Sequence, residues 1–199
     1  MTALYRPPYD SPIEDAFAMH YTAHAPSSIT FEAQVHVSTI CGLFILDFLI
    51  TTQTGLRIAI ECDGKEFHNE SRDEWRDAMI LGGNHVDAVY RLRGSDIHYS
   101  LEDLMCLLCR LEPTIFDERS VRKLKSLASE ETLETPIDAE HDIYSVRFPH
   151  EHEMGFMRIE VRRKDVQMGI RKFWKTAHAF GLDNIGMSLD TLIHKYRSL

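Results

Sequence analysis

A chain of 199 residues that is 44% apolar and 27% charged has the make-up of a folded globular protein, which argues against a disordered, collagenous or disulfide-stapled chain. No apolar run approaches the roughly 20 residues that span a bilayer, and the opening Met-Thr-Ala-Leu-Tyr-Arg-Pro-Pro lacks the basic start and apolar stretch of a signal peptide, so a cytoplasmic location without membrane contact is expected. The net charge of −9 argues against a protein that coats nucleic acid indiscriminately, because phosphate binding runs on Lys and Arg contacts.

Residues 11–23 read as a helix, with Ser11 as N-cap, Pro12 at the first helical position, Glu14 closing a capping box, and an apolar stripe of Ile13, Ala16, Phe17 and Tyr21. After a loop at Pro26-Ser27-Ser28, Ile29–Val37 reads as a strand. Leu43–Thr51 and Leu56–Cys62 then flank Thr52-Gln53-Thr54-Gly55, which reads as a hairpin turn. Ser71-Arg72-Asp73-Glu74 looks like a second capping box, opening a helix that stops at Gly82-Gly83. His85–Leu92 reads as a fourth strand, and Ser95–Leu111 as one helix ended by Pro113. Cys106 and Cys109 sit on that helix among Leu104, Leu107 and Leu108. No second Cys or His pair follows at zinc-finger spacing, so they are expected to be packed thiols, as are Cys41 and Cys62.

Past Pro113 the texture changes. A basic stretch leads into residues 130–153, which hold eight acids and one Arg and read as a linker or excursion. Ile143–Phe148 and Phe156–Arg162 look like strands, and Asp165–Phe180 and Ser188–Arg197 like helices. Charge divides along the chain: residues 1–112 carry 8 bases against 17 acids, and residues 155–199 carry 9 against 4. The organisation expected is a core over 1–112, an acidic excursion over 113–154 and a basic extension over 155–199.

A turn centred on Thr54 places residues equidistant from it opposite one another, so Asp47 faces Glu61, and alternation puts Asp63 on the face of Glu61. Ile45, Leu49 and Ala59 would share that face, with Phe48, Ile50, Ile58 and Ile60 on the other, as in an interior hairpin. Three carboxylates in an apolar sheet must be neutralised, paired or bound to a cation. The alternative is a shifted register that leaves them at a solvated strand end, paired with Lys65 or Arg57. An oxygen-only ligand set without His or Cys suits Mg²⁺ or Mn²⁺.

The ordered run Gln34, Phe44-Ile45-Leu46-Asp47-Phe48, Ile58-Ala59-Ile60-Glu61-Cys62-Asp63-Gly64, His68, Asp73, Arg76, Gly83 and Arg91 resembles the PD-(D/E)XK nuclease superfamily. Within it, the branch related to very-short-patch-repair endonucleases is the most similar, and the resemblance covers roughly residues 11–111. It implies an α/β, restriction-endonuclease-like core (helix, three strands, helix, strand, helix around a mixed central sheet) with a C-terminal α+β extension. It also implies Asp47 and Glu61 as metal ligands, with Glu14 and Gln34 reaching the site from the first helix and strand. The superfamily's acid-x-Lys is not intact: Asp63 stands where Lys would be, and Lys65 follows two residues on. Lys65 either places its ammonium near the scissile phosphate or is a surface lysine, and His68 either touches the site or sits in an exposed loop. Arg76 more often pairs with Asp73 or another acid of its own helix than with substrate.

His141, His150 and His152 are expected in a solvated loop. Arg162, Arg163, Arg171 and Lys172, beside Phe173 and Trp174, read either as a nucleic-acid surface or, for the aromatics, as core. The function expected is a Mg²⁺- or Mn²⁺-dependent endonuclease acting on DNA, with Asp47, Glu61, Asp63 and Lys65 as its catalytic set. The rival is a nuclease fold that no longer cleaves and binds nucleic acid or a protein partner in a defence, repair or mobile-element complex. A protein partner or homodimer is compatible with either.

Overall fold

A computed structural model describes residues 9–64, 70–138, 141–148, 155–165 and 173–199. The elements in chain order are α1 (Pro12–His24), β1 (Thr30–Thr39), β2 (Gly42–Thr51), β3 (Arg57–Asp63), α2 (Glu70–Gly82), β4 (Ala88–Arg93), α3 (Gly94–Tyr99) and α4 (Leu101–Leu111). After a short 3₁₀ turn at Pro113–Ile115 come α5 (Glu118–Leu127), α6 (Glu130–Glu134), β5 (Ile143–Arg147), β6 (Phe156–Arg163), α7 (Phe173–Leu182) and α8 (Leu189–Arg197). The strands form one mixed sheet in the order β1-β2-β3-β4-β6-β5, in which β3 and β4 are parallel and the other pairings antiparallel. No helix among the described residues is long and apolar enough to cross a membrane.

Helix α1 starts as its residues dictate, with the Ser11 hydroxyl accepting from the Glu14 N–H and Pro12 in the first turn. It lays Phe17 and Tyr21 on Phe31 and Phe48, and with α4 forms the larger core. On the other side of the sheet, Trp75 of α2 meets Phe173, Phe180 and Tyr196 edge-on, which makes the aromatics of α7 and α8 packing residues. At the β2–β3 turn, Gly55 takes a φ of +86° that a side chain would disfavour, and its N–H closes onto the Thr52 carbonyl. Cys62, Cys106 and Cys109 are buried free thiols and Cys41 is a half-buried one.

Four local readings differ from the sequence-based ones. Ser71 lies inside α2, which begins at Glu70, so Ser71-Arg72-Asp73-Glu74 is no cap there. The single helix expected over Ser95–Leu111 is two, because Ser100 leaves helical geometry (φ −137°, ψ 38°) where α3, which packs on α1, gives way to α4, which packs on α5 and β6. The segment after Pro113, expected as a linker or excursion apart from the strand at Ile143–Phe148, is folded over much of its length: Asp117 and Ser129 cap α5 and α6, and the expected strand, β5, joins the sheet edge. Strand β6 pairs directly with β4, so the basic segment after residue 154 completes the same sheet. Residues 166–172 of the helix expected from Asp165, together with His150 and His152, lie outside the described residues, while His141 is exposed and sits 3.4 Å from Asp138.

Candidate active site

The β2–β3 ladder pairs Thr51 with Arg57, Ile50 with Ile58, Leu49 with Ala59 and Phe48 with Ile60, the register centred on Thr54. The ladder stops there, so the next residues in that register, Asp47 and Glu61, are not paired. The Asp47 carboxylate itself accepts the Cys62 N–H at 2.7 Å. The β1–β2 ladder is interrupted at the same level, at Gln34 and Asp47, where Gln34 takes a φ of +53°. A non-glycine residue in that region is strained and needs an anchor. Here the Gln34 amide donates to Glu14 Oε2 at 2.9 Å, while the Ser11 hydroxyl donates to Glu14 Oε1 at 2.7 Å.

That interruption breaks the alternation expected for β2. Phe48 and Ile50 pack in the core under α1, whereas Leu46 joins Leu49 and Ala59 in the cluster under α2, and Ile45 is 42% exposed. Asp47 therefore sits at a kink and not in a uniform face with Ile45. The kink turns it toward Glu14, which raises its pKa together with Asp63. Burial is the largest influence and pushes Asp47 up to about 6, with the Cys62 N–H and Arg76 holding it back.

Glu14, Asp47, Glu61 and Asp63 line one cavity of about 420 Å³, with Arg72, Asp73, Arg76 and Arg91 around it. Glu61 is buried, and its carboxylate is clamped by Arg76, with Nη1 donating at 2.7 Å and Nη2 at 3.2 Å; Nη2 also donates to the Ile45 carbonyl. Burial still pushes Glu61 up to about 8, since it outweighs Arg76 and is reinforced by Asp47. Arg76 thus reaches across to β3, where the sequence had suggested Asp73 or another acid of its own helix. Arg91 holds Asp63 through Nη1 at 2.9 and 3.1 Å and grips Asp77 through Nε and Nη2 at 2.8 and 2.9 Å. Burial alone would raise the Asp77 carboxyl, but Arg91 and Arg162 outweigh it and hold it below the usual range.

The carboxylate oxygens are donors of the kind a hard divalent cation takes, yet among the described residues no three His, Cys, Asp or Glu side chains stand together as a metal-holding group. Guanidinium groups occupy Glu61 and Asp63 there. The donor set fits such an ion in kind, while Arg76 holds Glu61 and Arg91 holds Asp63.

The remaining residues singled out in the sequence divide. Lys65, His68, Arg171 and Lys172 lie outside the described residues. Arg57 is not a carboxylate partner of Glu61; its N–H donates to Asp87. Arg162 contacts Asp77 at 2.5 Å, and Arg163 contacts Glu112 at 2.7 Å and the Tyr90 hydroxyl, so both are engaged inside the protein. Sequence reading missed Asp77 and the pairing of Arg91. A signal existed, because an arginine within Val89-Tyr90-Arg91-Leu92, an otherwise apolar strand, requires buried carboxylates as partners. Asp73 and Asp77, one turn apart on the neighbouring helix, supply them, Asp73 at 3.8 Å.

Comparison with known proteins adds no relative, since no family model, no curated protein and no solved structure matches the chain.

Proposed function

We propose that the chain is a divalent-cation-dependent phosphodiester hydrolase, an endonuclease of the PD-(D/E)XK kind acting on DNA, with Asp47 and Glu61 as the cation's ligands. One observation carries this reading: four carboxylates from α1, β2 and β3 converge in one cavity, at a backbone kink held by a strained Gln34. Burial raises the pKa of two of them, Asp47 and Glu61, and carboxyls perturbed in this way within a cavity are candidates for a functional role. Bound there, Mg²⁺ or Mn²⁺ would supply charge for a phosphate oxygen and lower the pKa of an attacking water.

The chain's own residues do the rest. Glu14 and Gln34 fix the kink that aims Asp47, and the Cys62 N–H orients its carboxylate. Arg91 neutralises Asp63, so that not every acid in the cavity repels a phosphodiester. Arg72 and Arg76 also line the cavity, held by Asp190 and by Glu61, respectively. The test is cleavage by purified Asp47→Asn and Glu61→Gln proteins, each expected to lose hydrolysis while keeping its fold. Metal-dependent activity persisting in both would remove the assignment.

The second reading is a binding module that does not cleave. It draws on the same arginines, because a carboxylate pair already neutralised by Arg76 and Arg91 has less need of a metal ion. The two readings separate on whether Mn²⁺ binds at all.

A further inference from the structure

Helix α5 carries the basic stretch of the sequence, and its two sides differ. Asp117 caps it by accepting the Ser120 N–H, and the inward side, with Val121 and Leu124, packs into the core beside α4. The outward side holds Arg119, Arg122, Lys123 and Lys125, all exposed. Spacings of three and four residues put Arg119, Arg122, Lys123 and Ser126 on one row of the helix. Among the described residues none of these four cations stands in an ion pair, and the acids nearest along the chain, Glu118, Glu130, Glu131 and Glu134, reach none of them. The arginines around the carboxylate cavity are different, since Arg76, Arg91, Arg93 and Arg162 are each held by an acid.

Helix α5 is fastened to the helix that leads to the cavity. The ring of His24, at the end of α1, meets the Ser120 hydroxyl at 3.0 Å, and the His24 carbonyl accepts the Asp117 N–H. Glu14, which lines the cavity, lies on the same α1, and the rise from it to His24 is about 15 Å. That is less than half of the roughly 34 Å turn of B-DNA.

We propose that the outward side of α5 docks the phosphate backbone of duplex DNA. The choice of DNA rests on the phosphodiester reading of the carboxylate cavity. Charge argues for a polyanion: on a chain of net charge −9, four unpaired cations gathered on one capped helix have no internal acid to answer them. Arg119 to Lys125 rises about 9 Å, over which one strand of B-DNA presents about three phosphates. No aromatic side chain stands among these residues to stack on a base, so the contact is to the backbone, and a duplex offers twice the phosphate density of one strand. An anionic bilayer fits less well. Helices that lie on one sink an apolar face into it, and the apolar side of α5 is packed beside α4.

The test is a fluorescence-anisotropy titration of a fluorescein-labelled DNA duplex of about 20 base pairs with the full chain carrying Asp47→Asn, which keeps cleavage out of the readout. Arg122→Gln together with Lys123→Gln removes two phosphate contacts and should flatten the slope of log K against log salt by about two. Between about 50 and about 200 mM salt the variant should therefore lose roughly tenfold less affinity than its parent. Both side chains are exposed, so melting temperatures should be unchanged. Lys175→Gln together with Lys195→Gln makes the same change of charge on α7 and α8 and should leave the slope as it was. Equal flattening by the two pairs would show net charge at work in place of a docking face and overturn the proposal. So would a single strand of the same length bound more tightly than the duplex, or a chain that ignores the duplex and sediments with phosphatidylserine vesicles. The two readings fail separately: a chain that binds duplex through α5 and never cleaves refutes the hydrolase alone. A chain that cleaves and is indifferent to Arg122→Gln with Lys123→Gln refutes this surface alone.

Discussion

Arg76 occupies Glu61 through two hydrogen bonds, and both side chains are largely buried, at 13% and 5% exposure. A cation that uses Glu61 must first displace that guanidinium. Hydrogen bonds to charged groups are worth about 1.5–3 kcal/mol, so the displacement should cost Mn²⁺ affinity roughly ten- to a hundredfold. Arg76→Gln removes the competitor and should tighten Mn²⁺ binding by that factor, as read by calorimetric titration. The metal-free variant should also be less stable, by about 3 kcal/mol, because Glu61 then lies buried without its partner, and saturating Mn²⁺ should restore much of the loss. Burial already pushes Glu61 up to about 8. A proton is therefore expected to take the place of Arg76, and the gain in affinity should be larger in titrations at higher pH. Arg76→Lys, which keeps the charge but not the two-pronged contact, should fall between. If Arg76→Gln binds Mn²⁺ more weakly than the parent at every pH while remaining folded, Arg76 supports the cation instead of opposing it, and the competition argument is wrong.

Asp47→Asn should stabilise the metal-free protein in a pH-dependent way. The folded carboxyl is raised from 3.8 to about 6, so the parent binds the extra proton between those values, loses stability as pH rises through the window and stays penalised above it. The variant's advantage in denaturant melts should be near zero at pH 3.5 and reach at most about 3 kcal/mol at pH 8; a pH-independent difference would contradict this. Asp77→Ala should destabilise by about 3–5 kcal/mol, because it removes the fully buried carboxylate that Arg91 and Arg162 share; a loss below about 1 kcal/mol would show that these contacts are dispensable. Gly82→Ala should cost about 1–3 kcal/mol, since its Cβ would lie 2.1–2.6 Å from atoms of His178, including that residue's own Cβ, and α7 would have to move off α2. Unchanged thermal stability would refute that packing.

The hairpin was legible because Thr52-Gln53-Thr54-Gly55 defines its own centre, and the register follows from there. With it came the approach of Asp47, Glu61 and Asp63. The kink was not legible: a left-handed Gln34 follows no residue preference, and it arises from Glu14 and Asp47 acting across three elements. Arg76 and Arg91 were both visible as charges, but their partners lie on other elements, which helix spacing does not reveal. Much the same holds for β6. Its alternation marked a strand, but nothing local indicated that a segment so late in the chain would pair with β4. Apolar periodicity recovered most elements, while Ser100 broke a helix whose side-chain pattern continues through it.

The central claim is that the carboxylate cavity hydrolyses phosphodiesters with a divalent cation, and a cleavage assay tests it most directly. Linear, supercoiled and single-stranded DNA would be incubated with the purified full chain in Mg²⁺, in Mn²⁺ and in EDTA, with Asp47→Asn run alongside. The account predicts cleavage in Mg²⁺ or Mn²⁺, none in EDTA and none by the variant. A folded chain that binds Mn²⁺ yet leaves every substrate intact, or an activity that survives both EDTA and Asp47→Asn, would contradict it.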